Sequence, residues 1–132
     1  MILDSNVLIE IIQQPKSPLN DWLYAQYGQE LRINPIIFAE LSPNFARCHQ
    51  LAGYLVELGI DIEPLTLDDC HLAGRAHAVY RRRGGARTTI LPDFLIGAQA
   101  AARGWTLVTR DRNGFGSYFP DLRVVDPMDN FT

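Results

Sequence analysis

Cysteine, lysine and long apolar runs are all scarce in this sequence of 132 residues. The two cysteines, Cys48 and Cys70, form no CxxC pair and no zinc-ligand spacing, so we expect small core residues rather than metal ligands or a disulfide. No stretch approaches the roughly 20 apolar residues that a transmembrane helix needs. No signal peptide precedes the first strand-like residues, so we expect a cytoplasmic protein that does not contact a membrane.

Arginine carries nearly all of the positive charge, because Lys16 is the only lysine among twelve basic residues. The net charge of −3 argues against a protein that coats nucleic acid without regard to sequence. Four arginines crowd into one short segment: Arg81, Arg82, Arg83 and Arg87. The planar guanidinium group suits phosphates and carboxylates, so this segment is a candidate surface for binding anions.

Strand-like and helix-like apolar patterns alternate along the chain. Strands are predicted at residues 1–3, 31–33, 60–64, 105–109 and 122–125. The intervening helices are predicted from helical apolar spacing and from the capping residues Ser17, Asn34 and Thr66. This alternation favours a single α/β domain over residues 1–132, with a parallel sheet that is mostly buried on both faces.

Four carboxylates occupy corresponding places in this pattern. Asp4 follows the first strand, Glu40 lies in the helix after the second, and Asp111 follows the fourth. Asp93 opens the helix before the fourth strand. In open α/β sheets, ligands bind beyond the carboxyl ends of the strands. Four converging carboxylates repel one another unless a cation joins them, and hard oxygen ligands suit Mg²⁺ or Mn²⁺. Such ions can activate a water and polarise a phosphodiester.

Each acid also has a local explanation. Asp4 could be a helix N-cap, Asp93 could complement a helix dipole, and Asp111 could be a turn residue. Glu40 is harder to explain locally, because it interrupts an otherwise apolar run over residues 36–41 and a carboxylate is rarely buried without a partner. The joint placement of the four acids, rather than any one of them, favours a metal site.

The chain resembles PIN domains, and especially the VapC-type toxins of bacteria and archaea, in four ordered segments. These are residues 3–9 (LDSNVLI), 37–41 (IFAEL), 91–98 (LPDFLIGA) and 107–111 (LVTRD). The resemblance implies a three-layer α/β fold in which helices flank a parallel five-stranded sheet of order 3-2-1-4-5. It also implies an endoribonuclease that cleaves RNA with one or two Mg²⁺ or Mn²⁺ ions.

Four acids match the metal-binding, catalytic positions of the family: Asp4, Glu40, Asp93 and Asp111. By the same resemblance, Asn6 would orient Asp4 or a bound water, and Thr109 would donate a supporting hydrogen bond. Asn113 stands where some relatives carry a further acid. The number of metal ions therefore stays open.

The arginines have two interpretations each. The cluster of Arg81, Arg82, Arg83 and Arg87 could grip RNA or an acidic antitoxin tail, or it could be a solvated helix end whose charges complement the helix dipole. Arg110 and Arg112 flank Asp111. They could hold a substrate phosphate or pair with neighbouring acids.

The resemblance further implies a toxin that forms a homodimer and is masked by a small, VapB-like antitoxin. One alternative is a catalytically inactive PIN fold that only binds RNA or protein. A phosphoacceptor receiver domain is disfavoured, because Lys16 lies in an early loop and Asp4 is followed by Ser5 and Asn6 rather than by a second acid.

Overall fold

The computed structural model describes residues 1–85, 91–111, 115 and 118–129. Within these residues, the strands are β1 (Ile2–Leu3), β2 (Leu31–Ile33), β3 (Ile60–Ile62), β4 (Leu107–Val108) and β5 (Val124–Val125). The helices are α1 (Ser5–Gln13), α2 (Pro18–Ala25), α3 (Pro35–Leu41), α4 (Cys48–Glu57), α5 (Leu67–Arg82) and α6 (Leu91–Arg103), with a short 3-10 turn at Ser42–Asn44. The predicted alternation is confirmed, although β3, β4 and β5 are shorter than the patterns suggested.

The five strands form one sheet in the order β3-β2-β1-β4-β5, and every neighbouring pair is parallel. This confirms the predicted order. The side chains of Ile2 and Leu3, which point to opposite faces of the central strand, are both fully buried. Helices therefore cover both faces of the sheet, and the carboxyl ends of all five strands meet at one edge.

Side-chain caps begin the helices that surround this edge. The carboxylate of Asp4 accepts from the backbone N–H of Ser5 at the start of α1. The carbonyl oxygen of the Asn34 side chain accepts from the N–H of Ile37 in α3 at 3.0 Å. At α5, the hydroxyl of Thr66 and the carboxylate of Asp69 form a reciprocal capping box. These caps fix where each helix leaves the sheet.

Two polar side chains of α6, Gln99 and Arg103, position this helix, which carries Asp93. The side-chain amide of Asn34 donates to the side-chain oxygen of Gln99 at 3.0 Å, and the side-chain amide of Gln99 donates to the backbone oxygen of Pro64 at 3.0 Å. Arg103 donates to both carboxylate oxygens of Asp69, at 2.6 and 2.8 Å. These contacts tie α6 to β2 and to α5, and the sequence patterns did not predict them.

Cys48 and Cys70 are both exposed, so the prediction that they fill the core is wrong. Cys48 is the first residue of α4, and the buried positions of that helix are Leu51 and Leu55. Cys70 lies in α5, a helix whose buried residues are Asp69 and Ala73. Within the described residues, no helix is long and apolar enough to cross a membrane.

Candidate metal centre

Asp4 sits where β1 gives way to α1, and its side chain is only 7% exposed. One carboxylate oxygen, Oδ1, accepts from the N–H of Ser5 at 2.8 Å. The other oxygen, Oδ2, accepts from the hydroxyl of Thr109 at 2.8 Å. The capping role and the placement at the strand edge are therefore compatible, because each uses a different part of the carboxylate.

The hydroxyl of Thr109 is the centre of a small hydrogen-bond network. Thr109 is fully buried directly after β4. Its oxygen accepts from the Asn6 side-chain amide and from the N–H of Asp111, both at 3.1 Å, while its proton goes to Asp4. The structure thus places Asn6 and Thr109 beside Asp4, as the resemblance implied. The network joins the ends of β1 and β4.

The pKa directions show that the four predicted acids are electrostatic neighbours. Burial raises the pKa of Asp4, and the charge of Asp111 adds to that rise, while the hydrogen bonds from Thr109 and Ser5 oppose it. Burial also raises the pKa of Glu40, with further contributions from the charges of Asp4 and Asp93. The Ser5 hydroxyl lowers the pKa of Glu40. The structure therefore brings Asp4, Glu40, Asp93 and Asp111 into one region.

The chemistry of this donor set suits a hard divalent cation, because carboxylate oxygens line the region and their charges disfavour one another. Among the described residues, no three Asp, Glu, His or Cys side chains are gathered tightly enough to form a ready metal-binding group. The charges of neighbouring acids help to raise the pKa of Asp4 and of Glu40, but the acids do not form a closed cage. A cation bound among them would replace mutual repulsion by attraction.

Arg110, one of the arginines beside Asp111, is engaged in ion pairs. Its guanidinium group donates to Glu10 at 2.8 Å and lies 3.2 Å from a carboxylate oxygen of Asp126. Its backbone N–H donates to the side-chain oxygen of Asn6 at 3.1 Å. The geometry matches the second interpretation of Arg110, pairing with neighbouring acids, and a phosphate contact stays a prediction. Arg87, Arg112 and Asn113 lie outside the described residues.

Sequence reasoning missed three contributors to this region. Ser5 acts on Glu40 through its hydroxyl, and Glu10 and Asp126 hold Arg110 from two sides. Asp126 directly follows β5, as Asp4 follows β1. That shared position was a usable signal, whereas nothing in the sequence marked Glu10 or Ser5.

An apolar groove of about 710 Å³ lies away from the acids, lined by residues of α1, α2 and α4. Three large apolar side chains on its border are exposed to solvent: Tyr24, Tyr27 and Val56. Tyr27 is 97% exposed. Large exposed apolar side chains around a groove are typical of a surface that binds another protein.

Comparisons with known proteins agree with this architecture. The crystal structure of VapBC2 from Rickettsia felis bound to a promoter DNA fragment contains a chain with a TM-score of 0.73 and 20% identity, covering 95% of this chain and 96% of that one. DNA-bound VapBC from Salmonella typhimurium gives a TM-score of 0.72 and 18% identity, covering 96% of each chain. A toxin–antitoxin complex from Klebsiella pneumoniae gives 0.66 and 24%, again covering 96% of each.

At these identities the solved structures establish the fold alone. No protein of curated function matches the chain in sequence. The family model described as the PIN domain, however, matches residues 1–118. This match, together with the strand order and the similarity to solved VapBC chains, shows that the chain belongs to the PIN-domain family.

Proposed function

We propose that this protein is a metal-dependent endoribonuclease that hydrolyses phosphodiester bonds in RNA. The observation that carries the proposal is that Asp4 and Asp111 follow neighbouring strands of the sheet, and that the charges of Asp111 and Asp93 act on Asp4 and Glu40, respectively. Burial is the main cause of the raised pKa values of Asp4 and Glu40, and the charge of another acid of the set adds to each rise. Carboxylates crowded in this way are typical of sites that bind Mg²⁺ or Mn²⁺.

Four residues would hold one or two such ions: Asp4, Glu40, Asp93 and Asp111. When bound there, such ions would supply the activation of water and the neutralisation of charge that phosphodiester hydrolysis needs. The chain's own contribution is to fix the ligands. A carboxylate offers about four acceptor positions, so Asp4 keeps acceptor capacity after binding Ser5 and Thr109. Their hydrogen bonds hold its orientation.

The first experiment is RNA cleavage by the purified protein in EDTA, Mg²⁺ or Mn²⁺. Asp93→Asn tests the acid site, and Asp121→Asn is the matched control, because Asp121 is an exposed acid in a different part of the chain. We expect metal-dependent cleavage that Asp93→Asn abolishes and Asp121→Asn retains. Undiminished cleavage by a folded Asp93→Asn protein would contradict the assignment.

The alternative is a PIN fold that binds RNA or protein without turnover. The same assay separates the two, because this alternative predicts RNA retention on a filter with no cleavage in any metal. The complete set of four acids favours the nuclease, since a binding-only protein has no need to retain carboxylates that repel one another.

We further propose that the protein is the toxin of a VapBC-type pair, acts in the cytoplasm, and is masked at its acidic site by a small VapB-like antitoxin. The similarity to chains from VapBC complexes supports this role. We expect expression of the protein to arrest bacterial growth, and Asp93→Asn to relieve the arrest. Normal growth combined with RNA cleavage in vitro would instead indicate an RNA-processing enzyme.

A homodimer is the quaternary state we propose. The support is the apolar groove between α1, α2 and α4, with Tyr24, Tyr27 and Val56 exposed along it. A second copy of the chain would cover these side chains. If an antitoxin covers this groove instead, we expect the isolated protein to be a monomer.

A further inference from the structure

The C-terminal end of α5 presents three consecutive arginines in a defined geometry. Gly84 adopts a positive φ of 82°, which suits glycine. The N–H of Gly84 then donates to the backbone oxygen of Arg81, and the N–H of Gly85 donates to that of Tyr80, both at 3.1 Å. This pair of bonds is the Schellman arrangement, which stops a helix sharply. The arginines at 81–83 are therefore held on an ordered helix end.

These three arginines are exposed. Within the part of the chain that the structure describes, their guanidinium groups make no ion pair, in contrast to Arg32, Arg103 and Arg110. Like charges gathered at one helix end repel one another unless an anion binds near them. This cluster is therefore suited to a ligand with several negative charges. Helix-dipole compensation accounts for some basic character at a helix C-terminus, but it does not explain the contact of Arg83 with the ring of Tyr118.

The guanidinium of Arg83 lies over the ring of Tyr118, with 5.7 Å between its central carbon and the ring centroid. Tyr118 in turn packs edge-to-face against Tyr80 at 5.7 Å and against Phe94 at 5.3 Å. Phe94 follows Asp93, one of the four predicted metal ligands. An aromatic cluster with an arginine on its surface thus includes the residue of α6 that follows Asp93.

We propose that the surface formed by Arg81, Arg82, Arg83 and Tyr118 binds single-stranded RNA next to the acid site. Arg81 and Arg82 contact backbone phosphates, and the Arg83–Tyr118 pair provides a platform on which one base stacks. Proteins recognise unpaired bases by stacking them on aromatic rings or guanidinium planes. An acidic peptide would use the charges but not the platform, so the aromatic contact favours RNA. The proposal rests on the proposed nuclease function, because it supplies that site with its substrate strand.

The test measures binding of a fluorescein-labelled oligouridine of twelve nucleotides by fluorescence anisotropy, with EDTA present so that no cleavage occurs. The test variant combines Arg81→Gln, Arg82→Gln and Arg83→Gln. Its control removes the same charge elsewhere, through Lys16→Gln, Arg47→Gln and Arg123→Gln, all at exposed positions. We expect the test variant to bind at least tenfold more weakly than the control. Its log affinity should also fall less steeply with log salt, by about 1.4 for the two lost phosphate contacts of Arg81 and Arg82.

The platform is tested separately by Tyr118→Leu, which keeps an apolar side chain against Phe94 but removes the ring. We expect affinity to fall about fivefold or more while the salt dependence stays unchanged, because stacking does not release counterions. Thermal melting of each variant shows whether it is folded. A role confined to stabilising the helix end would lower the melting temperature and leave RNA affinity equal to that of the control.

Equal RNA affinity for the test and control triple variants would overturn the proposal. So would arginine-dependent binding of a polyglutamate peptide by a protein that does not bind the oligouridine, since that result would assign the surface to an acidic protein segment. Because binding is measured in EDTA, the outcome is independent of cleavage. Arginine-dependent binding without cleavage in any metal would sink the nuclease proposal and leave this surface standing. RNA cleavage together with unaltered RNA binding by the arginine variant would overturn the proposed binding surface and support the nuclease proposal.

Discussion

Replacing Thr109 by valine should loosen the acid site without creating a cavity, because the two side chains have nearly the same shape. The hydroxyl lost in Thr109→Val donates to Asp4 at 2.8 Å and accepts from Asn6 and Asp111. A hydrogen bond to a charged group contributes about 1.5–3 kcal/mol. Since Asp4 is only 7% exposed, water replaces that donor poorly. We expect the metal-free protein to lose about 2 kcal/mol of unfolding free energy at pH 7.

The same variant should raise the pKa of Asp4 further, because the Thr109 hydrogen bond is the largest influence that lowers it. The stability loss should therefore shrink as the pH falls and Asp4 becomes protonated, since a neutral carboxyl depends less on the donor. Removing a group that orients a metal ligand typically weakens metal binding by about 10- to 100-fold. We expect a loss of that size for Mn²⁺ if Asp4 is a ligand.

Urea denaturation followed by circular dichroism measures the stability, and a Mn²⁺ titration followed by electron paramagnetic resonance measures the affinity. Thr106→Val is the matched control, since Thr106 directly precedes β4, at the end of the strand opposite to Thr109. If Thr109→Val matched Thr106→Val in both measurements, the hydroxyl would not support the acid site, and the network's proposed role would be refuted.

Three further predictions test other parts of the molecule. Glu40→Gln should raise the unfolding free energy in EDTA by only a few tenths of a kcal/mol, because it removes repulsion from Asp4 and Asp93 at a carboxylate that is only partly buried and that solvent still screens. A clear destabilisation in urea denaturation would contradict this. Asp69→Asn should cost about 3 kcal/mol at pH 7 by breaking the buried pair with Arg103. The Arg103 hydrogen bonds lower the pKa of Asp69, so the Asp69 carboxyl binds a proton less tightly in the folded protein than in the unfolded chain. The stability difference between wild type and Asp69→Asn should therefore be complete above about pH 4 and disappear as the pH falls further. A difference that does not change with pH would exclude the ion pair as its source. Tyr27→Glu should halve the mass measured by light scattering if the apolar groove is the dimer interface, and an unchanged dimer would place that interface elsewhere.

The alternation of strands and helices was predictable because each strand signal and each helix signal was local, whereas the order of the strands in the sheet came from the resemblance to PIN domains. Asn34, for instance, is followed by proline, and it caps α3 as that pattern predicts. The lengths of β4 and β5 were less predictable, because the apolar pattern continues beyond the paired residues. Thr109 follows β4 directly and reads as its last residue in the sequence. In the structure, its hydroxyl belongs to a polar network that begins where the strand ends.

Long-range pairs were not predictable from local patterns. Asp69 reads as an ordinary first-turn acid of α5, and it is indeed part of a capping box, yet it also binds Arg103 across 34 residues of sequence. Arg110 also forms ion pairs with residues distant in sequence, since its partners Glu10 and Asp126 come from opposite ends of the chain. A single sequence carries no information on which of many exposed-looking charges will meet after folding.

Asp4 shows why the local and the functional explanations of a residue need not compete. A carboxylate has two oxygens, and at the end of a parallel strand one of them can cap the helix that follows while the other remains at the sheet edge. Here the hydrogen bond from the N–H of Ser5 restricts the side-chain torsions of Asp4. The hydroxyl of Thr109, directly after the neighbouring strand β4, donates to the second oxygen. Capping therefore restricts the motion of the carboxylate that a metal site would need restricted. In an α/β sheet, an acid that is a good N-cap directly after a strand is for that reason a stronger ligand candidate.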